Sequence, residues 1–89
     1  MEQVPVATAV AHVIWNVRTR RVWMYWMVSV TCPNITITTL TLEDEDGEVI
    51  NQVAFYDAQE ARRYLEYEAK WFQAQPGCQW VWLPAGEGR

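Results

Sequence analysis

The sequence predicts an α+β fold, in which a five-stranded antiparallel sheet carries one helix on one face. Four segments rich in β-branched and aromatic residues come first, followed by one segment of helical composition and a last short strand. We expect the order β-β-β-β-α-β along the chain. A helix that crosses the sheet brings the fifth strand beside the first, which gives the strand order 5-1-2-3-4 with all neighbours antiparallel.

The first two strands are predicted over residues 8–17 and 22–31, with a polar loop between them. Pairing Val17 with Val22 places Trp15 opposite Met24 and Val13 opposite Trp26, which makes one face wholly apolar. That register predicts three aromatic side chains beneath the helix: Trp15, Trp26 and Phe55.

The third and fourth strands are predicted over residues 35–45 and 49–56. Asp46-Gly47 between them is typical of a two-residue hairpin turn, because both turn positions need a positive φ. Centring the turn there pairs three residues of each strand: Leu40 with Val53, Leu42 with Asn51, and Thr38 with Phe55. The Thr-rich alternation of 35–45 supports two registers for this strand, the second of them with a bulge.

A helix is predicted over residues 57–74. Asp57 and Glu60 have the spacing of a capping box, and Pro76-Gly77 ends the helix. Spacings of three and four define a core stripe of Ala58, Ala61, Leu65, Ala69 and Phe72. A fifth strand is predicted over 79–83.

The composition is that of one globular domain, with ends expected to fray at about 1–5 and 84–89. The chain has 89 residues, of which 51% are hydrophobic and 20% charged. The net charge of −4 argues against a general binder of nucleic acid or of anionic membranes. Two cysteines at opposite ends of the predicted sheet cannot form a bridge, so we expect reduced thiols and a cytoplasmic protein.

Twelve aromatic residues, six of them Trp, exceed what one small core needs. The predicted register leaves a second apolar face that the helix does not cover. We assign to it Trp23, Tyr25, Met27, Ile14, Trp80 and Trp82, although Val81 and Leu83 could take the place of the last two. A second stripe is predicted on the helix: Tyr64, Tyr67 and Trp71. These residue types favour contact with another protein or a second copy of the chain, unless the sheet curls and covers both faces itself.

Charged residues gather at two loops at the same end of the predicted sheet. Basic residues stand between the first two strands: Arg18, Arg20 and Arg21. Acidic residues form the tip of the second hairpin: Glu43, Asp44, Glu45 and Asp46. Either loop could attract and orient a partner by its charge. The Arg loop beside Trp23 also supports an alternative function, in which the chain is a module that binds single-stranded nucleic acid.

The sequence offers no set of residues for catalysis or for a metal, so we expect a non-enzymatic protein without a cofactor. His12 is the single histidine, and the predicted register places it on the uncovered face opposite Met27. The cysteines lack the close spacing of zinc ligands. Aligning the acidic segment with a calcium loop puts Leu42 and Val53 where carboxylates are required.

The profile of a compact, acidic, aromatic-rich domain resembles in kind, though not by any motif, the small inhibitors that phages and other mobile elements make against host systems, anti-CRISPR proteins among them. This resemblance implies an inhibitor that occludes a surface of its target. The alternatives are the nucleic-acid module and a purely structural homo-oligomer.

Overall fold

The computed structural model describes residues 7–16, 18 and 21–84 of the chain. Its elements are β1 (Thr8–Asn16), β2 (Arg21–Thr31), β3 (Thr36–Glu43), β4 (Val49–Phe55), α1 (Ala58–Gln73) and β5 (Gln79–Trp82). The strands form one sheet in the order β4-β3-β2-β1-β5, with every neighbouring pair antiparallel. The predicted fold class and strand order are therefore confirmed. Of the ends predicted to fray, 1–5 and 84–89, all residues except Pro84 lie outside the described residues.

The β3–β4 hairpin has the predicted pairing but a different turn. Leu40 pairs with Val53, and Leu42 pairs with Asn51. The turn is one residue longer than predicted, because hydrogen bonds join Asp44 N to Glu48 O and Gly47 N to Asp44 O. Gly47 adopts φ 82°, and the register shifts by one residue next to Leu42. A bulge therefore absorbs the extra residue and keeps the apolar pairs in register.

The predicted β1–β2 register is wrong by three residues. Val13 lies opposite Trp23 rather than Trp26, and Ala11 lies opposite Tyr25. A shift by an odd number of residues exchanges the two faces of β2 relative to β1. The physical reason is volume, because the small side chains of Ala11 and Val13 leave room under the helix for the two large rings opposite them.

The helix begins and ends close to the predicted positions. The Asp57 side chain caps it by accepting a hydrogen bond from Gln59 N at 2.9 Å. After the C-cap at Ala74, Gly77 turns the chain with φ 80°. Four of the five predicted core residues are buried, namely Ala61, Leu65, Ala69 and Phe72, whereas Ala58 is exposed.

The hydrophobic core lies between α1 and one face of the sheet. The helix follows β4, precedes β5 and contacts both of these edge strands as well as β3, so it crosses the sheet from one edge to the other. Its buried partners on the sheet are Ala11, Val13, Tyr25, Leu40, Leu42 and Trp80. The opposite side of the sheet has no helix among the described residues, and we call it the helix-free face.

Candidate functional site

The four aromatic residues predicted for the helix-free face lie on the helix side of the sheet instead. Tyr25 is 1% exposed and Trp80 is 6% exposed, and both belong to the core. Trp23 and Met27 share the face of Tyr25 and are packed against the core. Trp82 also lies on the helix side, at its margin, and keeps 49% of its surface exposed. The assignment of Trp23, Tyr25 and Met27 to the helix-free face is therefore wrong, and the register shift explains it. For β5 the alternative holds, in which Val81 rather than Trp80 and Trp82 joins that face.

Two groups of rings fill the space beneath the helix. In the first group, Trp15 and Trp23 stack with centroids 4.7 Å apart, and Phe72 meets both of them edge-on. In the second group, Trp80 contacts Tyr25 at 5.4 Å and Trp82 at 5.1 Å. Since one face of Trp23 is taken by Trp15, that face cannot stack on a nucleic-acid base.

A polar network links the core tyrosine to the helix. The Tyr25 hydroxyl donates to Glu68 Oε1 at 2.5 Å, and Asn51 Nδ2 donates to Tyr64 Oη at 3.1 Å. Burial and then the bond to Glu68 raise the pKa of Tyr25. Burial and the charge of Glu68 likewise raise the pKa of Tyr64, which the bond from Asn51 lowers in part. Both hydroxyls therefore stay protonated at neutral pH and act as hydrogen-bonding groups.

The helix-free face is apolar along its centre. Alternation along β2 places one row of side chains there: Val22, Met24, Trp26, Val28 and Val30. Ile14 and His12 on β1 join this face, as predicted, although His12 lies opposite Met24 instead of Met27. Val81 on β5 and Ile37 on β3 extend it on either side.

Polar groups on this face stand mainly towards β4. Thr41 is buried and accepts a hydrogen bond from Gln52 Nε2 at 3.1 Å. Trp26 lies beside Thr41, and its buried indole N–H has no hydrogen-bond partner among the described residues. Of the described strand residues that alternation assigns to this face, Glu43 is the only acidic one and none is Lys or Arg. The face is therefore suited to an apolar contact.

The predicted stripe on the helix is exposed in part. Tyr67 is 66% exposed and Trp71 is 43% exposed. Tyr64 is half-buried, with its ring 5.5 Å from Phe55, and Trp71 meets Phe72 edge-on at 5.0 Å. The stripe thus presents two exposed rings beside one that belongs to the packing.

The charged loops differ in how their residues are placed. Arg18 and Arg21 are exposed, while Arg20 lies outside the described residues. At the acidic tip, Asp44 Oδ1 accepts hydrogen bonds from the backbone N–H groups of Asp46 and Glu48, both at 2.9 Å. Asp44 is therefore a structural residue of the turn. Glu43 is half-buried at the end of β3, and the exposed carboxylates are those of Glu45, Asp46 and Glu48.

A groove of about 700 Å³ lies between the helix and the sheet, and sequence reasoning did not find it. Its apolar lining includes Met27, Leu65 and Trp82, and its rim includes Arg62 and Lys70 with Glu66 between them. The sequence feature that could have indicated the groove is the spacing of its rim residues on the helix, because residues 62, 66 and 70 lie one turn apart along the same side.

The two cysteines lie near opposite ends of the sheet. Cys32 follows β2 and is exposed, whereas Cys78 precedes β5 and its Sγ contacts the carbonyl oxygen of Trp15 at 3.2 Å. Burial raises the pKa of the Cys78 thiol. The eleven residues of β2 separate these ends by roughly 30 Å, so both thiols are free.

Within residues 7–16, 18 and 21–84, no three His, Cys, Asp or Glu side chains are grouped so that they could hold a metal ion. In the same part of the chain, the single helix is too short and too polar to cross a membrane.

Comparison with known proteins finds no match to a family model, a curated protein or a solved structure.

Proposed function

We propose that this chain is a non-enzymatic protein-binding domain that contacts its target through the helix-free face. The observation that carries the proposal is the uninterrupted apolar row on the helix-free face, with Ile14 beside it: Val22, Met24, Trp26, Val28 and Val30. Apolar surface of this kind gains free energy when a partner removes it from water.

The size of the face fits a protein partner. Five strands at about 4.8 Å and seven residues at about 3.3 Å give an area of roughly 500–600 Å² before side-chain relief. The whole face, polar residues included, thus approaches the ~800 Å² per partner of a standard interface. A sheet face of this width favours a broad protein surface over a small molecule, whose binding sites are usually concave.

The negative charge of the chain favours a partner with basic groups around its apolar surface. The net charge is −4, and the exposed tip of the β3–β4 hairpin adds Glu45, Asp46 and Glu48 at one end of the sheet. A partner with basic groups beside an apolar patch is attracted at long range and oriented before contact. We therefore assign the target to proteins whose binding surface is apolar and edged by Lys or Arg.

The specific form that we propose is an inhibitor that occludes its target in the cytoplasm, as phage and mobile-element inhibitors of the anti-CRISPR kind do. Small size, acidity and a broad contact surface support this form. Trp71 and Tyr67 on the helix offer a smaller second contact on the opposite side of the molecule.

The experiment compares two variants with the same change in charge. Met24→Lys/Val28→Lys places two cations in the centre of the helix-free face. Gln59→Lys/Gln73→Lys, the helix control, places them on exposed helix positions. Each protein is checked for cooperative unfolding, used to capture proteins from the source cell, and then tested with the purified captured protein by calorimetry.

The proposal expects a partner that the wild-type chain and the helix control bind alike and that the face variant binds at least ~10-fold more weakly, the equivalent of about 1.4 kcal/mol. Hydrogen exchange in the complex should slow in β2. Equal binding by both variants, protection confined to the helix, or no specific partner would each contradict the proposal.

A further inference from the structure

Strand β4 is an edge of the sheet with an unusual lack of protection. Among the described residues it pairs with β3 alone. Its seven residues, Val49–Phe55, include no charged residue, no Pro and no Gly. Natural edge strands are commonly shortened, charged or interrupted by Pro, because free N–H and C=O groups recruit another strand.

The strand at the opposite edge of the sheet, β5, is protected against pairing with a further strand. Strand β5 has four residues, and Pro84 follows it after Leu83. A short strand next to a residue without an N–H group offers little backbone for pairing. The two edges therefore differ, and only β4 has the length and chemistry for adding a strand.

The β4 sequence is compatible with antiparallel pairing to itself. Whether the pairing is centred on Gln52 or on Val53, each facing pair within the strand is uncharged. Two apolar side chains near the start of β4 are exposed, Val49 to 57% and Ile50 to 43% of their surface. In the pair of strands they would face the end of β4 in the other copy. No like charges meet within the strand, so nothing in it opposes self-pairing.

We propose that two copies of this chain pair through their β4 edges and form a continuous ten-stranded antiparallel sheet. Antiparallel pairing of identical strands requires a two-fold axis perpendicular to the sheet. Both helices then lie on one side, and both helix-free faces lie side by side on the other. The dimer presents a doubled apolar surface, which would raise the avidity for a target that has two binding sites.

The strength of such a dimer follows from the length of the strand. Seven paired residues supply about seven backbone hydrogen bonds, within the usual number for a protein interface. The contact is narrow and lies at the low end of interface areas, so we expect dissociation in the micromolar range.

The test is sedimentation of the purified chain from about 1 µM to about 500 µM, a range that brackets a micromolar dissociation constant. The edge variant is Ile50→Lys/Ala54→Lys. In the pairing centred on Gln52, it places the cations of the two copies opposite each other. In the pairing centred on Val53, it places them among the paired residues of the two β4 strands. Both positions are exposed, so the fold should persist. The helix control Gln59→Lys/Gln73→Lys carries the same added charge.

The proposal expects a monomer–dimer equilibrium that the helix control keeps and the edge variant weakens by at least ~10-fold. Hydrogen exchange should show β4 amides that become protected as the wild-type concentration rises. A wild-type chain that stays monomeric, a dimer that the edge variant leaves intact, or growth beyond the dimer would overturn it. Because no partner protein enters this test, its failure is distinct from failure of the proposed function.

Discussion

The Tyr25 hydroxyl donates a hydrogen bond to Glu68 from beneath the helix. Tyr25→Phe keeps the ring under the helix, against Trp80, and removes only the hydroxyl that donates to Glu68. A hydrogen bond to a charged group contributes about 1.5–3 kcal/mol. Because Glu68 is half-buried and retains some solvent, we expect a loss near the lower end, about 1.5–2 kcal/mol, in the free energy of unfolding at pH 7.

The loss in free energy of unfolding that Tyr25→Phe causes depends on pH. Burial and the bond to Glu68 raise the pKa of Tyr25 in the folded state above the value of about 10 that it has when unfolded. The stability contributed by the protonated hydroxyl is thus fully present below about pH 10. Above that pH it falls by about 1.4 kcal/mol per pH unit, because the unfolded chain releases the proton and the folded chain keeps it.

Urea denaturation at pH 7 and at steps above pH 10 measures both effects. The wild-type chain should lose stability faster than Tyr25→Phe in the alkaline range, so the gap between them closes within about one to two pH units. Tyr67→Phe is the matched control, since Tyr67 is 66% exposed, and it should change stability by less than about 0.5 kcal/mol.

A double-mutant cycle assigns the loss to the pair. Combining Tyr25→Phe with Glu68→Ala should show a coupling free energy of at least ~1 kcal/mol. The reasoning is refuted if Tyr25→Phe is as mild as the Tyr67 control, or if its gap to the wild type stays constant above pH 10.

Two further predictions concern the ends of local elements. Asp57→Ala should lower the free energy of unfolding by about 1 kcal/mol, because it removes the acceptor for Gln59 N; Asp57→Asn should recover most of this, and an equal loss in both would contradict the capping role. Gly47→Ala should cost about 1 kcal/mol in thermal unfolding, since φ is 82° and no atom lies near the added methyl. Gly47→Asn should cost less, and a neutral Gly47→Ala would be incompatible with the positive φ.

The candidate site could be predicted only in part. The sequence indicated a second apolar face and placed Ile14 and His12 on it, and the structure agrees for both residues. It assigned Trp23 and Tyr25 to that face, where the structure has Met24 and Trp26. Both rows of β2 are apolar, so alternation along this strand could not tell which row faces the helix.

The elements whose signals are local could be predicted from the residues of their own segments. The β3–β4 pairing follows from Gly47 and the flanking alternation, and the helix ends follow from Asp57 and Gly77, because turns and caps depend on residues adjacent in the chain. The strand order followed from the connections, since a helix 16 residues long spans the sheet.

Which side of β2 is buried could not be predicted from the strand itself. The residues that set the orientation of β2 lie far apart in the chain. Glu68 on the helix accepts a hydrogen bond from the Tyr25 hydroxyl, and the small side chain of Ala11 makes room for the Tyr25 ring. A strand that is apolar on both sides carries no preference of its own, and its orientation is set by the volume and the hydrogen-bonding groups that it meets.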